Sequence, residues 1–270
     1  MPELPEVETI VRQLKPLVTG RKLVSLVILD PKLDIENIPA LKGRKVLEVR
    51  RLGKQVGIHL SSLSREKGTL WLLFHLRMTG RLIWNTCRTA QKRKSLRAKL
   101  VFDRGCLSFY DTRRFGVIDF FHTFAAALPR GIDPFSPRFT RVSLAGMLEC
   151  SSQAIKPWLL RQDRLTGLGN IYASEILFDA RVDPRRPAGS LDELEVSRLH
   201  NSVRKILRRA IKNCGTTFDS FQDTRGETGS FQNFLSVYGR DGEPCPKCGG
   251  QIVRFVQQGR STFFCPHDQK

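Results

Sequence analysis

The hydrophobic period changes along this chain, and the change bounds what it can fold into. From Lys22 to about Phe121, short apolar runs recur at residues 23–29, 46–49, 56–60, 70–74, 100–102 and 117–121, separated by glycines and charged turns. Regular short strands of this kind predict an all-β sandwich or barrel. From Arg141 to Cys214 the period becomes helical, with candidate helices at 144–150, 154–160, 171–180 and 191–213. In the last of these, Leu194, Leu199, Val203, Ile206, Leu207 and Ile211 share one face. Residues 129–138, rich in Pro and Gly, read as the boundary. A further helix precedes the strands: Val7, Ile10, Val11, Leu14, Leu17 and Val18 form one apolar stripe. Strands and helices are thus segregated along the chain, which predicts an α+β fold.

The chain has 270 residues, enough for two domains with separate cores, and 40% of them are apolar. Its formal net charge is +19, which points to a polyanionic partner. Nucleic acid is the first candidate and an anionic membrane surface the second. No apolar run is long enough to span a bilayer and no signal-peptide pattern is present, so a cytosolic location is expected. Of the seven cysteines, Cys87, Cys106, Cys150 and Cys214 are scattered singly, which argues for reduced thiols. Cys245, Cys248 and Cys265 are clustered.

The first six residues, Met1-Pro2-Glu3-Leu4-Pro5-Glu6, carry potential chemistry. Removal of Met1 would leave Pro2 as a secondary amine with a pKa near ~8, able to form an iminium with a sugar aldehyde carbon. Glu3 beside it is a candidate proton donor. Taken alone, the stretch reads better as a helix start, with proline and acidic residues in the first turn. The rest of the chain reverses that preference.

Several loops stand out. Arg50-Arg51-Leu52-Gly53-Lys54 places a lysine beside a glycine turn. His75-Leu76-Arg77-Met78-Thr79-Gly80 ends a strand with a His and a Met, and Asp111-Thr112-Arg113-Arg114-Phe115-Gly116 sets two arginines against a phenylalanine. Core packing is the default for a lone Met or Phe, but on loops of a basic protein such residues can be wedges into a base stack. Lys92-Arg93-Lys94-Ser95-Leu96-Arg97 reads as an exposed basic loop, either solvated or phosphate-facing. In Thr166-Gly167-Leu168-Gly169-Asn170, Asn170 is a good N-cap, and the free N–H groups of the next turn suit a phosphate, though the segment reads equally as a structural helix–turn–helix without ligand. Residues 215–236 are polar and glycine-containing, long enough for a functional loop. Cys245-Pro246-Lys247-Cys248 and Cys265-Pro266-His267-Asp268 have the spacing of a zinc ribbon with one structural Zn2+. Its fourth ligand is His267, Asp268 or water: His267 is the better donor, whereas Asp268 stands at the regular spacing, and the alternative is a hairpin that has lost its metal.

Together these segments resemble the formamidopyrimidine-DNA glycosylase family. The likeness runs from Met1 to Lys270 and rests on Met1-Pro2-Glu3-Leu4-Pro5-Glu6-Val7-Glu8-Thr9, on Gly167-Leu168-Gly169-Asn170-Ile171-Tyr172-Ala173, on Val237-Tyr238-Gly239-Arg240 and on the cysteine knuckles. It implies an N-terminal β-sandwich with an N-terminal helix (1–130). A helix–two-turn–helix domain with a lesion-covering loop (131–234) and a zinc-finger β-hairpin (235–270) would follow. The implied activity is that of a bifunctional DNA glycosylase and AP lyase on oxidised purines in double-stranded DNA, by a monomer, in the cytoplasm at a bacterial nucleoid. By motif, Pro2 would be the Schiff-base nucleophile and Glu3 would protonate the sugar ring oxygen. Lys54 would assist β-elimination and Arg260 δ-elimination. Met78, Arg113 and Phe115 would fill the space of the flipped base, and His75, Lys156 and Asn170 would hold phosphates. Three departures accompany the likeness. Arg77 stands where the family usually has glycine, Ser95 or Arg97 falls where it has a histidine, and Asp268 stands where it has the fourth cysteine. Two rivals are a non-catalytic damage-binding protein of the same fold and a glycosylase preferring oxidised pyrimidines.

Overall fold

Helix α1 (Leu4–Val18) opens the chain in the computed structural model, which describes residues 1–33, 38–63, 68–86, 94–218 and 221–270. Its N-cap is Glu3. Glu3 accepts from the third helical amide, and the Glu6 side chain accepts the Glu3 N–H at 2.7 Å, forming a reciprocal capping box. The predicted stripe is buried through Val7, Ile10, Leu14 and Val18, and the helix packs on β2 and β3.

The described residues divide into two compact units. The first comprises Met1–Leu128 and Asn213–Ser230; the second comprises Pro129–Lys212 and Phe231–Lys270. The sequence grouping put the 215–236 loop with the helices; in the structure Asn213–Ser230 belongs with the strands, for reasons that lie in the side chains of α1.

Unit one is a β-sandwich. Its strands are β1 (Leu23–Ile28), β2 (Val46–Leu52), β3 (Gln55–Leu60), β4 (Leu70–His75), β5 (Arg81–Asn85), β6 (Leu96–Phe102), β7 (Cys106–Tyr110) and β8 (Val117–Phe121). They form two antiparallel sheets, β1-β6-β7-β5 and β2-β3-β4-β8, and one core draws on both and on α1. Helix α2 (Phe124–Ala127) covers Trp71 on the second sheet. Strands β5 and β7 escaped the sequence reading. β7 is buried along its whole length although it contains Cys106 and Ser108, and Asn85 on β5 satisfies both of them. The expected basic loop is also shorter than predicted. β6 begins at Leu96, so Arg97 is a strand residue bonded to the Asp111 carbonyl at 2.6 Å and paired with Asp30 at 3.2 Å. Cys87, and Lys92 and Arg93 of that run, lie outside the described residues.

Unit two contains α3 (Arg141–Leu148), α4 (Ile155–Leu159), α5 (Asn170–Ala180), α6 (Glu193–Lys212) and the hairpin β9 (Val253–Gln257) and β10 (Arg260–Phe264). α6 buries Leu199, Val203 and Leu207 of the predicted face against α5 and α3, whereas Leu194, in its first turn, is exposed and lies off that face. The hairpin turns on Gln258 and Gly259, both at positive φ, as a two-residue hairpin loop requires. Phe178, Val237, Ile252 and Phe263 pack with Cys245 and Cys265 in a small core that joins α5 to the knuckles. Among the described residues no helix is long and apolar enough to cross a membrane.

Candidate active site and metal centre

Pro2 is buried at the entrance to α1 beneath an exposed Met1, and Glu3 is buried as the N-cap. Glu6 holds this turn in place. One of its oxygens accepts from Glu3 N, and the other accepts from Thr216 N at 2.7 Å. Gly215 must lack a side chain, because a Cβ there would lie 2.5 Å from Glu6 Oε1. The rest of the 213–230 segment is bound as closely. Gln13 donates to Asp223 at 2.7 Å and accepts from both the amide and the hydroxyl of Thr224, and Trp84 N donates to Thr224 O at 3.0 Å. The described part of this loop is therefore anchored along its length on unit one; Asp219 and Ser220 lie outside the described residues.

Lys54 follows Gly53, which takes positive φ in the tight β2–β3 turn. The preceding arginines point elsewhere. Arg51 pairs with Glu8 of α1 at 3.0 Å, and Arg50 lies over the Phe124 ring at 5.2 Å. His75, at the end of β4, has its pKa pushed down to about 4 by burial and by the positive charges of Arg77 and Lys54. Its Nδ1 accepts from Arg77 N at 3.2 Å, so the neutral ring carries its proton on Nε2. The ring that sequence reading assigned to a phosphate is thus a neutral hydrogen-bond donor at neutral pH.

The wedge candidates lie on two adjoining turns. Met78 is 39% exposed and Phe115 49%, and the Arg113 guanidinium stacks on Phe115 at 4.8 Å. Arg114, between them, takes positive φ and turns its side chain to a fork on Asp30, whose carboxyl pKa it lowers. Arg77 takes φ 53°, the left-handed region, which gives a physical reason for a glycine at this position.

In unit two, Lys156 is 1% exposed and donates to Asn170 Oδ1 at 2.6 Å, Ser261 O at 3.1 Å and Thr262 Oγ1 at 2.9 Å. Asn170 is not the N-cap predicted from sequence. Gly169 caps α5 and Asn170 is its first helical residue, with Nδ2 donating to Ser261 O at 2.9 Å. Both side chains are consumed in tying the helix start to β10, the strand that Arg260 opens with an exposed side chain. Glu175 was not singled out by sequence. It is buried on α5 and accepts from Ser236 N, Val237 N and Tyr238 N at 2.8–2.9 Å, fixing the turn that leads to the knuckles. Burial raises its pKa against the opposing pull of those three N–H groups.

The sulfurs of Cys245, Cys248 and Cys265 lie within 4.8 Å of one another, a donor set that suits one structural zinc. Asp268 and His267 differ in their surroundings. The Asp268 side chain is only 9% exposed, with Oδ2 3.2 Å from Lys247 Nζ and Oδ1 3.5 Å from Arg181 Nε. His267 is exposed, with its ring against Gly250.

Glu6, Asp111 and Glu175 are the residues that sequence reasoning missed, all buried carboxylates that organise backbone. An acidic residue inside an otherwise apolar or glycine-rich run was the available signal.

Comparison with known proteins agrees with this layout. Three family profiles match in order: the formamidopyrimidine-DNA glycosylase N-terminal domain at residues 1–118, the H2TH domain of the same enzymes at 130–222, and the zinc finger found in FPG and IleRS at 242–270. The formamidopyrimidine-DNA glycosylase of Heliobacterium modesticaldum is 40% identical, with both chains covered in full. A crystal structure of the MutM (Fpg) protein of Thermus thermophilus superposes with a TM-score of 0.87 at 39% identity, covering 99% of this chain and 98% of that one. The Lactococcus lactis Fpg in complex with DNA containing an abasic site gives 0.88 at 32% identity, with 99% of each chain covered. This chain belongs to the formamidopyrimidine-DNA glycosylase family.

Proposed function

We propose that the protein is a bifunctional DNA glycosylase and AP lyase that excises oxidised purines, 8-oxoguanine and formamidopyrimidines, from double-stranded DNA. The observation that carries this reading is an intact Pro2-Glu3 pair fixed at the start of α1 in a chain that matches the family over its full length. Its place of action is the cytoplasm, at the nucleoid.

In this reading Met1 is removed and the Pro2 nitrogen bonds to the sugar C1′ as the damaged base leaves. Glu3 delivers a proton to the ring oxygen, the ring opens, and an iminium links protein and DNA. Loss of a C2′ proton then expels the 3′ phosphate, and a second elimination expels the 5′ phosphate. Lys54 and Arg260 stabilise the charge that develops on these leaving groups. Base extrusion costs a few kcal/mol and needs a wedge and phosphate clamps. Met78, Arg113 and Phe115 supply the wedge. His75 contributes an Nε2–H donor, and Lys156 with Asn170 fixes the start of α5 and β10, where phosphates are held. Cys245, Cys248, Cys265 and Asp268 hold one structural zinc, whose chemistry is to clamp the hairpin that carries Arg260. Asp268 is favoured over His267 because its side chain is the less exposed of the two and stands at the regular spacing.

The test is borohydride trapping on a duplex with 8-oxoguanine opposite cytosine, using the native protein and Pro2→Gly, with intact mass to verify loss of Met1. A covalent adduct strongly reduced in the variant is expected. No adduct from a protein with a free Pro2 that binds the duplex tightly would instead mean a damage-binding role. In a lesion panel, faster cleavage at thymine glycol than at 8-oxoguanine would overturn the purine preference.

A further inference from the structure

We propose that Asp111 is a positioning residue for base extrusion: its carboxylate locks the Arg113–Phe115 loop to the Met78 turn, so that the wedge side chains meet DNA as one rigid body. The inference rests on the wedge assignment made above and deepens it.

Asp111 follows β7 and is 1% exposed. Its Oδ2 accepts from Phe115 N at 2.8 Å and Gly116 N at 2.7 Å. Its Oδ1 accepts from Arg113 N at 3.2 Å and from the Thr79 hydroxyl. Two of these donors are the backbones of Arg113 and Phe115 themselves, and a third belongs to the residue after Met78. Thr79 Oγ1 also accepts from Arg113 N at 3.0 Å, closing a triangle between the two turns. The turns have little room to shift. A Cβ on Gly80 would lie 2.3 Å from Leu76 O, and one on Gly116 would lie 2.5 Å from Phe109 Cζ. Arg114 is turned away onto Asp30, which leaves Arg113 and Phe115 stacked on each other.

The chemistry demands a carboxylate here. Four donors converge on two oxygens, and an ionised Asp only accepts. Asn has nearly the same shape, but on either side its NH2 group would face a backbone N–H that can only donate, Arg113 N on one and Phe115 N with Gly116 N on the other, so Asp111→Asn breaks one side of the lock. Exposed apolar tips on a rigid backbone suit insertion between bases, because a loose loop would have to be ordered at the moment of unstacking. Merely holding the β7–β8 connection would not require a link to Thr79.

The experiment compares wild type, Asp111→Asn, Met78→Ala and the double variant on two substrates. One is a duplex with 8-oxoguanine opposite cytosine and a neighbouring 2-aminopurine; the other is a single-stranded abasic oligonucleotide, which has no stack to open. For Asp111→Asn we expect kcat/KM on the duplex to fall by about 10–100-fold, comparable to losing an outer-shell support. The 2-aminopurine rise should slow in parallel, while strand cleavage of the single-stranded substrate stays within about twofold. The double variant should be hardly worse than Met78→Ala, as coupled residues are non-additive. Equal losses on both substrates, or additive losses with Met78→Ala, overturn the proposal. If Met78→Ala is defective on the duplex and Asp111→Asn is normal, the lock fails and the wedge stands. If Met78→Ala behaves as wild type, the wedge assignment fails and the lock with it. Should Asp111→Asn not fold, Thr79→Val removes the link between the turns alone, and the same pattern at smaller size decides.

Discussion

Glu6 and Thr216 stand 210 positions apart in the chain and are joined by a 2.7 Å hydrogen bond from the Thr216 amide to Glu6 Oε1. The other Glu6 oxygen accepts from Glu3, so one buried carboxylate ties the candidate nucleophile's turn to the loop expected to cover the lesion. An amide in its place can accept on one side only. Glu6→Gln is expected to lower stability by about 1–3 kcal/mol through the stranded backbone N–H. Its urea midpoint should fall, and the borohydride adduct should form more slowly. An unchanged midpoint would show that the bridge contributes nothing.

Arg77 sits at φ 53° where the family usually has glycine. The left-handed region costs an L-residue roughly 1–2 kcal/mol, and glycine's extra freedom when unfolded returns about 0.5–1 kcal/mol of that. Arg77→Gly should therefore raise stability by about 0.5 kcal/mol, a rise in Tm of about 1–2 °C for a chain of this size. The variant also removes one of the charges that depress His75, so the histidine's titration should move up. Thermal unfolding and an NMR titration of His75 check the two effects separately.

His75 titrates near 4 in the folded protein and near its ordinary 6.5 when unfolded. Between those values the unfolded chain binds the extra proton, so stability rises with pH through the window and is lost as pH falls through it. His75→Gln should flatten the dependence of the urea midpoint on pH between about 4 and 6.5. A slope as steep as that of the wild type would assign the acid lability to other groups.

Zinc retention distinguishes Asp268 from His267. Asp268→Ala should weaken zinc against a chromogenic chelator by more than the roughly 10–100-fold typical of losing an outer-shell partner. Asp268→Cys should tighten it, since thiolate is the softer donor. His267→Ala should leave it unchanged. Equal loss in both alanine variants would return the fourth position to His267 or water.

By itself the sequence determined whatever depends on local period and on fixed spacing. The α1 stripe, six of the eight sandwich strands, the helices α3 to α6 and the cysteine knuckles were legible because each is written within a few consecutive residues. The candidate catalytic pair Pro2-Glu3 was legible as chemistry, yet only as one of two readings of a helix start. Strands β5 and β7 were not legible, because Cys106, Ser108 and Asn85 satisfy one another across strands and so hide a buried β pattern. Nor was the first-unit home of Asn213–Ser230, which rests on Glu6 and Gln13 from the far end of the chain. Only the tertiary structure decided that Asn170 ties α5 to β10 instead of capping its helix, that His75 is neutral, and that Asp111 and Glu175 are organisers of backbone. A buried carboxylate must find donors wherever the fold brings them, and that search ends among residues distant in sequence.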